Sequence, residues 1–408
     1  MTASNIYIIN AHVDEFFSTP ISKLGQNFNG KYRFILEASN WDNYKDRKNI
    51  KILNENKNIN KLQFKYWKKF NKINPETGLV EIRDLSIKKS EIYFISSNML
   101  LALWGKHQKI IKKVSTVSKL IIVINHYFAK APLLTPILEN INRSYLLCER
   151  SPLCCSDYFK PKEQNSLKKH LIIEIPYMPN NELSKCRSNN KINKCAVIGQ
   201  THKIWEDHIF FKRTGFPYFH KIRNEFRQKY LSKLIDQSNF QYYGPKIKIE
   251  LNIICHKLIN QKIVKIFLSK FKLYNFFKSR IKALAKFEIT DYYKNTKPNK
   301  EIYSNYSMII CGEEDILNLP VLGFFEAMMA GCAPLGSLHE YYESIGLRKN
   351  FHYIPYDGTY DSALKEVEKI RKNPTKIYKI IYNSIKFIEK NINAKNSINL
   401  IKTAIYND

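Results

Sequence analysis

Along the first half of the chain, short unbroken apolar runs alternate with longer polar stretches able to form helices. IYIIN (Ile6 to Asn10), YRFILEAS (Tyr32 to Ser39), EIYFISS (Glu91 to Ser97) and KLIIVIN (Lys119 to Asn125) are rich in β-branched and aromatic residues, and each ends in Asn or Ser. Runs this short and this continuously apolar have the pattern of parallel strands buried on both faces. LIIEIP (Leu171 to Pro176) reads as a further strand, closed by a proline. Strand, helix and strand in alternation predict a doubly wound α/β domain over residues 1–180.

From Pro179 the pattern lapses into NNELSKCRSNNKIN, polar and without period, which predicts a linker over 181–193. KCAVIGQ (Lys194 to Gln200) then opens a second α/β unit over 194–360, a strand ending in a glycine turn. FQYYGPK (Phe240 to Lys246) and YSMIICG (Tyr306 to Gly312) repeat the design, and CAPLGS (Cys332 to Ser337) and FHYIPY (Phe351 to Tyr356) supply two more strands. Ligands of such sheets sit at the carboxyl ends of the strands, so Gly199, Gly244 and Gly312 are expected to line a cleft. Residues 361–408 read as packing helices folded back across the domain boundary. Ile377, Ile381, Ile385 and Ile388 form a stripe, and Pro374 marks a break between two helices. The fold class expected is α/β, with two Rossmann-like domains facing a cleft and C-terminal packing helices.

Composition sharpens the picture at three points. The 408 residues hold 66 Lys and Arg against 36 Asp and Glu, a formal charge of +30. That excess points to an anionic partner, although heavy use of Lys, Asn and Ile also fits an AT-rich coding bias. The eight cysteines form no CxxC pair, and the adjacent Cys154 and Cys155 suit neither a bridge nor a zinc site. Reduced thiols and no structural metal are expected. MTASNIYIIN lacks a basic leader segment, and no run reaches the ~18 apolar residues of a membrane span, so a cytoplasmic protein is expected. Lys265 to Phe287 carries seven basic residues and no acid. With Phe267, Phe271, Tyr274, Phe277, Ile281 and Leu284 at helical spacing, it suits either an ordinary surface helix or peripheral contact with an anionic membrane.

LGFFEAMMAGCAPLGS raises the chemical question. Glu326 is the only charged residue between Ile316 and Leu338, in a helix that Pro320 should open and Gly331 should close. Leu322, Phe325 and Met329 make the expected buried side. An unpaired buried carboxylate costs several kcal/mol or protonates. The partner of Glu326 must therefore be distant in the fold, or be a ligand. Ribose or sugar hydroxyls are natural partners, because an ionised carboxylate can accept two at once.

The Glu-Ala-Met-Met-Ala-Gly-Cys-Ala-Pro block, following a proline, resembles the nucleotide-sugar signature of GT-B glycosyltransferases. The likeness extends over most of residues 194–390, through Val-Ile-Gly, the helix bearing Arg223 and Arg227, Tyr-Tyr-Gly and YSMIICGEEDILNLP. The closing FHYIPYDGTYDSALKEVEKI resembles the end of CgeB-like domains, whereas the N-terminal half shares architecture alone. The resemblance implies that Glu326 holds the donor ribose and that glycine turns sit against the diphosphate. Gly331 and the backbone near Ala333 would lie close to the donor. Many retaining members place a second glutamate where this chain has Asn318, and CgeB-like members place an arginine where it has Gly323. Retention or inversion stays open.

The charge of a departing nucleoside diphosphate is met in such enzymes by cationic side chains and helix N-termini, without a metal or other cofactor. Candidates after the Gly199 turn are Lys203, Arg213, Arg223 and Arg227, the last two being neighbours on one helix face. In the N-terminal half, His12 and Asp14 follow the first strand and His126 follows Lys119 to Asn125. His126 is preferred for contact with the donor sugar, and Asp14 as the base of an inverting reaction. The expected function is glycosyl transfer from a nucleotide sugar to a surface glycan, lipid-linked or protein acceptor. Alternatives are an inverting fucosyltransferase- or exostosin-like enzyme, an inactive binding relative and a nucleic-acid-binding protein. Against the last, no helix-turn-helix, RRM, KH or zinc-finger signature occurs.

Overall fold

The computed structural model describes residues 6–9, 32–36, 78–81, 85–89, 91–124, 127–148, 158–175, 177–199, 209–217, 220–231, 240–243, 258, 261–270, 273, 299–313 and 319–407. They form two compact units. Unit 1 comprises Met1–Met178, Asp207–Gly215 and Glu389–Asp408, and unit 2 comprises Pro179–Glu206 and Phe216–Ile388.

Unit 1 holds a seven-stranded sheet in the order β3-β2-β1-β4-β5-β6-β7. The strands are β1 (Ile6–Ile9), β2 (Tyr32–Leu36), β3 (Gly78–Glu81), β4 (Ile92–Ser96), β5 (Lys119–Ile124), β6 (Tyr145–Cys148) and β7 (Leu171–Glu174). Every pairing is parallel. Its continuously apolar strands are buried on both faces, as in Ile92 to Ile95 and Leu120 to Ile124. The strand order reverses direction between β1 and β4, the switch point of a doubly wound sheet. Helix α1 (Ser97–Val117) starts directly after β4, and the Ser96 hydroxyl caps it by accepting from Met99 N at 3.1 Å. Helices α2 (Tyr127–Asn140) and α3 (Pro161–Lys168) follow β5 and β6.

At the amino end of β4, Glu91 is buried. Its carboxylate accepts from the Tyr7 hydroxyl (3.1 Å), the Tyr93 hydroxyl (2.7 Å) and Lys88 N (2.9 Å). Two further pieces of chain break the linear division expected at 1–180, 194–360 and 361–408. Helix α4 (Ile209–Thr214) belongs to unit 1 because Phe210 is buried there and Arg213 Nη2 meets Glu163 Oε1 at 2.5 Å in a buried ion pair. Helix α12 (Ala394–Tyr406) also belongs to unit 1, burying Ile398, Ile401 and Ile405.

Unit 2 holds a five-stranded parallel sheet, β12-β11-β10-β8-β9. Its strands are β8 (Ile192–Ile198), β9 (Phe240–Tyr243), β10 (Tyr306–Ile310), β11 (Ala333–Ser337) and β12 (Ile354–Tyr356). Register aligns Cys195, Met308 and Ala333 in one row, and Val197, Ile310, Leu335 and Ile354 in the next. These alternate residues face one layer, formed by α5 (Lys221–Leu231), α10 (Tyr360–Arg371) and the first half of α11 (Pro374–Asn391). Ile222, Phe226, Val367 and Ile377 are the contacts. The break at Pro374 lies as expected between α10 and α11. Between β9 and β10 in the chain lies α6 (Lys262–Lys270), the described start of the basic segment 265–287, most of whose remaining residues lie outside the described set.

Helix α7 (Asn299–Asn305) precedes β10, and α8 (Leu322–Met329) and α9 (Glu340–Ser344) flank β11. The Phe324 ring of α8 packs edge-on to Tyr342 (5.4 Å) and Tyr353 (6.0 Å), and the three rings lie so close to Gly336 that a Cβ there would reach Tyr342 at 2.6 Å. Ten strands match the expectation from sequence, and β3 and β6 are additional. Among the described residues no helix is long and apolar enough to cross a membrane, and no group of three or more His, Cys, Asp or Glu could hold a metal ion.

His170 ties three elements of unit 1. Its Nδ1 accepts from Ser144 N at 3.1 Å, and its Nε2–H donates to Leu138 O at 3.0 Å. Burial, with help from Lys169, lowers its pKa to about 4. A base whose folded pKa lies below its unfolded value stabilises fully above about 6.5, and that contribution is lost as pH falls toward 4. The shift corresponds to about 3 kcal/mol at most. Thermal melts from pH 7 to 4.5 should show His170→Gln losing less stability than the native chain; parallel curves would mean that His170 titrates normally.

Candidate functional site

Unit 2 counts as 2-1-3-4-5 in its own strand order, so its switch point lies between β8 and β10. Each of these strands ends in a glycine with positive φ, +116° at Gly199 and +68° at Gly312. Between them lies Arg223. A Cβ on Gly199 would stand 2.5 Å from the Arg223 Cζ, and one on Gly312 would strike the Ile222 side chain and lie 3.5 Å from Arg223 Cγ. Arg223 Nε–H donates to the Cys311 carbonyl. Both glycines therefore serve two needs, a left-handed turn and the passage of an arginine across the backbone. Helix α5 supplies that arginine because Ile222, Asn224 and Phe226 are buried around it.

Two carboxylates, a guanidinium and a thiol lie together at the same strand ends. Burial raises the pKa of the Cys311 thiol. Arg223 pulls it back, and Glu326 and Glu313 push it further, which places all three near Cys311. Glu326, half-buried on α8, has a protein partner that the sequence did not reveal. The Tyr303 hydroxyl of α7 donates to Glu326 Oε2 at 3.0 Å and lies 3.4 Å from Gly323 O. Tyr303 is fully buried, and burial raises its pKa, with Cys311 and Glu326 adding to the effect. It stays a neutral donor to an acceptor carboxylate.

Glu313, immediately after Gly312, is a second residue that sequence reasoning missed. It is buried. Its carboxylate accepts from Ser337 N (2.7 Å), the Tyr342 hydroxyl (2.5 Å) and the Tyr356 hydroxyl (2.6 Å). Its carbonyl accepts from His220 Nδ1 at 2.9 Å. One side chain thus ties the end of β10 to β11, α9 and β12. Burial first, then Glu313, raises the Tyr342 pKa.

No family model matches the sequence, and no curated protein sequence matches it significantly. Solved structures do. HepE from Anabaena, crystallised with UDP and glucose, superposes with a TM-score of 0.52 over 100% of both chains at 7% identity. Sucrose-phosphate synthase from Thermosynechococcus elongatus gives 0.50 over 99% of this chain and 100% of its own, at 9% identity. Both are GT-B glycosyltransferases.

This chain has the GT-B fold.

Within that fold, the structure brings together Gly199, Gly312, Arg223 and Glu326 of the residues singled out from sequence, and adds Cys311, Glu313 and Tyr303. Gly331 lies elsewhere. It is the left-handed cap at the C-terminus of α8 (φ +71°), where Gly331 N donates to Met328 O and Cys332 N to Ala327 O. Arg187 and Lys191 complete that cap, donating to Met329 O (3.0 Å) and Ala330 O (2.7 Å), at the amino end of β11. Arg213 is committed to Glu163 in unit 1, which removes it from the cations of the Gly199 turn. Leu322, expected on the buried side of α8, is 37% exposed, and Phe324 takes its place in the core. Arg227 lies on α5, but its side chain is outside the described residues, as are Asp14, His126, Lys203, Gly244 and Asn318.

Gly323 stands where the resemblance placed an arginine. A Cβ there would meet Cys311 Sγ at 2.8 Å and the Tyr303 hydroxyl at 3.6 Å, so this position has no room for a larger side chain.

Gly312→Ala should lower stability by at least about 1 kcal/mol, through strain at positive φ and collision with Ile222. Gly105→Ala in α1, where nothing lies within 4 Å, should instead raise stability by about 0.5–1 kcal/mol. Chemical denaturation measures both, and equal effects would contradict the packing described at Gly312.

Proposed function

We propose that this protein is a glycosyltransferase that moves a sugar from a nucleotide-sugar donor to a surface glycan, lipid-linked or protein acceptor. The donor occupies the switch point of unit 2. The observation that carries the reading is the guanidinium of Arg223 lying over two glycine turns at the ends of β8 and β10. A guanidinium offers paired N–H donors to a diphosphate, and glycine backbones permit its close approach.

The chemistry follows from these parts. Breaking the bond between the sugar and its nucleotide leaves negative charge on the diphosphate. Arg223 stabilises that charge as it develops, so no metal is required. With Oε2 held by Tyr303, the Glu326 carboxylate is oriented to accept ribose hydroxyls. Glu313 fixes the Gly312 turn on which Arg223 lies. Because position 323 is closed, the cation reaches the diphosphate from α5 rather than from α8. The UDP and glucose bound by HepE support a uridine nucleotide as the first donor to try. Asp14 and His126 remain the proposed acceptor base and donor-sugar contact.

The test is a thermal-shift titration against UDP, GDP, ADP and CMP, with uridine as a control. A nucleotide at a hundred times its dissociation constant should stabilise the native chain by about 2.7 kcal/mol. Arg223→Ala should weaken the diphosphate nucleotide by about tenfold or more while leaving the nucleoside unchanged, the loss of one charge-assisted interaction. Glu326→Ala should weaken both. Absence of any shift in the native chain would count against a donor site.

A further inference from the structure

A second surface of unit 2 stands apart from these strand ends in chemistry. Residues 345–356 and 369–388 contain no Asp or Glu. Before Ile388, the exposed positions of α11 are Pro374, Thr375, Tyr378, Lys379, Tyr382 and Lys386. Tyr378 and Tyr382 are 58% and 57% exposed, and they lie four residues apart on one helix face. The loop before β12 joins this face. Lys376 Nζ donates to Asn350 Oδ1 at 3.0 Å, and the His352 ring packs on Phe387 of α11 at 4.8 Å. That loop exposes Arg348, Lys349 and Phe351. None of Arg348, Lys349, Lys376, Lys379 and Lys386 is ion-paired among the described residues.

We infer that this surface docks on an anionic lipid bilayer. Cations without ion-pair partners meet the phosphate headgroups, while the three exposed rings enter the interface between headgroup and acyl chain. The ring environment favours a bilayer over a nucleic acid. Arg348 lies 4.0 Å over the Phe351 centroid, and Lys386 lies 4.3 Å over the Tyr382 centroid. Cations thus cover two of the rings that a base would need for stacking. Placing ring edges and cations at one depth suits a membrane interface.

The experiment is flotation of the full chain with vesicles of phosphatidylcholine alone and of phosphatidylcholine with 30% phosphatidylglycerol. Binding should require the anionic lipid and fall with added salt. K379E/K386E should reduce partitioning by about 20-fold or more with an unchanged melting curve, since each basic residue contributes several-fold. Y378S/Y382S should weaken binding without altering its salt dependence. The proposal is overturned if K379E/K386E partitions like the native chain, including the case in which K278E/R280E in the other basic segment abolishes binding instead. It is equally overturned if K379E/K386E loses a single-stranded oligonucleotide but keeps the vesicles. Neither Arg223 nor Glu326 takes part, so a failure of nucleotide binding leaves this test intact.

Discussion

The passage of Arg223 across the backbones of Gly199 and Gly312 is the constraint on which unit 2 is built. An arginine laid over two strand ends requires that neither end carry a Cβ, that both turns be left-handed, and that α5 bury its neighbours Ile222 and Phe226. It also requires the β10 turn to stay in place under a cation. Glu313 supplies that anchor, with three donors from three different elements. Neutral donors thus satisfy a buried carboxylate without a second charge beside it.

The same device appears in unit 1, at the other end of its sheet. Glu91 also takes two tyrosine hydroxyls and one backbone N–H, but at the amino end of β4. Glu313 stands at the carboxyl ends of its strands, where sheets of this kind take ligands, and Glu91 at the opposite end. Glu163 takes the other solution, a buried arginine partner. Removing either member of such a pair leaves an uncompensated charge and costs about 3–5 kcal/mol. That pair fixes α4 within unit 1, although the neighbouring sequence belongs to unit 2.

Much of this architecture was legible because buried parallel strands are written as unbroken apolar runs. The two strands that escaped notice lack a run of β-branched residues: GLVE carries a glycine and a glutamate, and YLLC carries two leucines, which suit a helix equally well. Glu326 was conspicuous because no charge surrounds it in sequence, but its partner was not. Tyr303 arrives on a different helix, and an aromatic residue before a strand reads simply as core. Glu313 stayed hidden for the opposite reason: in CGEED it looks like one acid of an exposed loop, and only the fold brings Tyr342, Tyr356 and Ser337 to it. Gly331 was read correctly as a helix cap, and that role sets it at the amino end of β11, the opposite end from Gly199 and Gly312.

The most direct test of the Arg223 site is a crystal structure of the protein soaked with UDP. The diphosphate should lie within hydrogen-bond distance, about 3 Å, of the Arg223 guanidinium and against Gly199 and Gly312, with ribose hydroxyls on the Glu326 carboxylate. A nucleotide seated elsewhere, or one whose ribose makes no contact with Glu326, would contradict this placement.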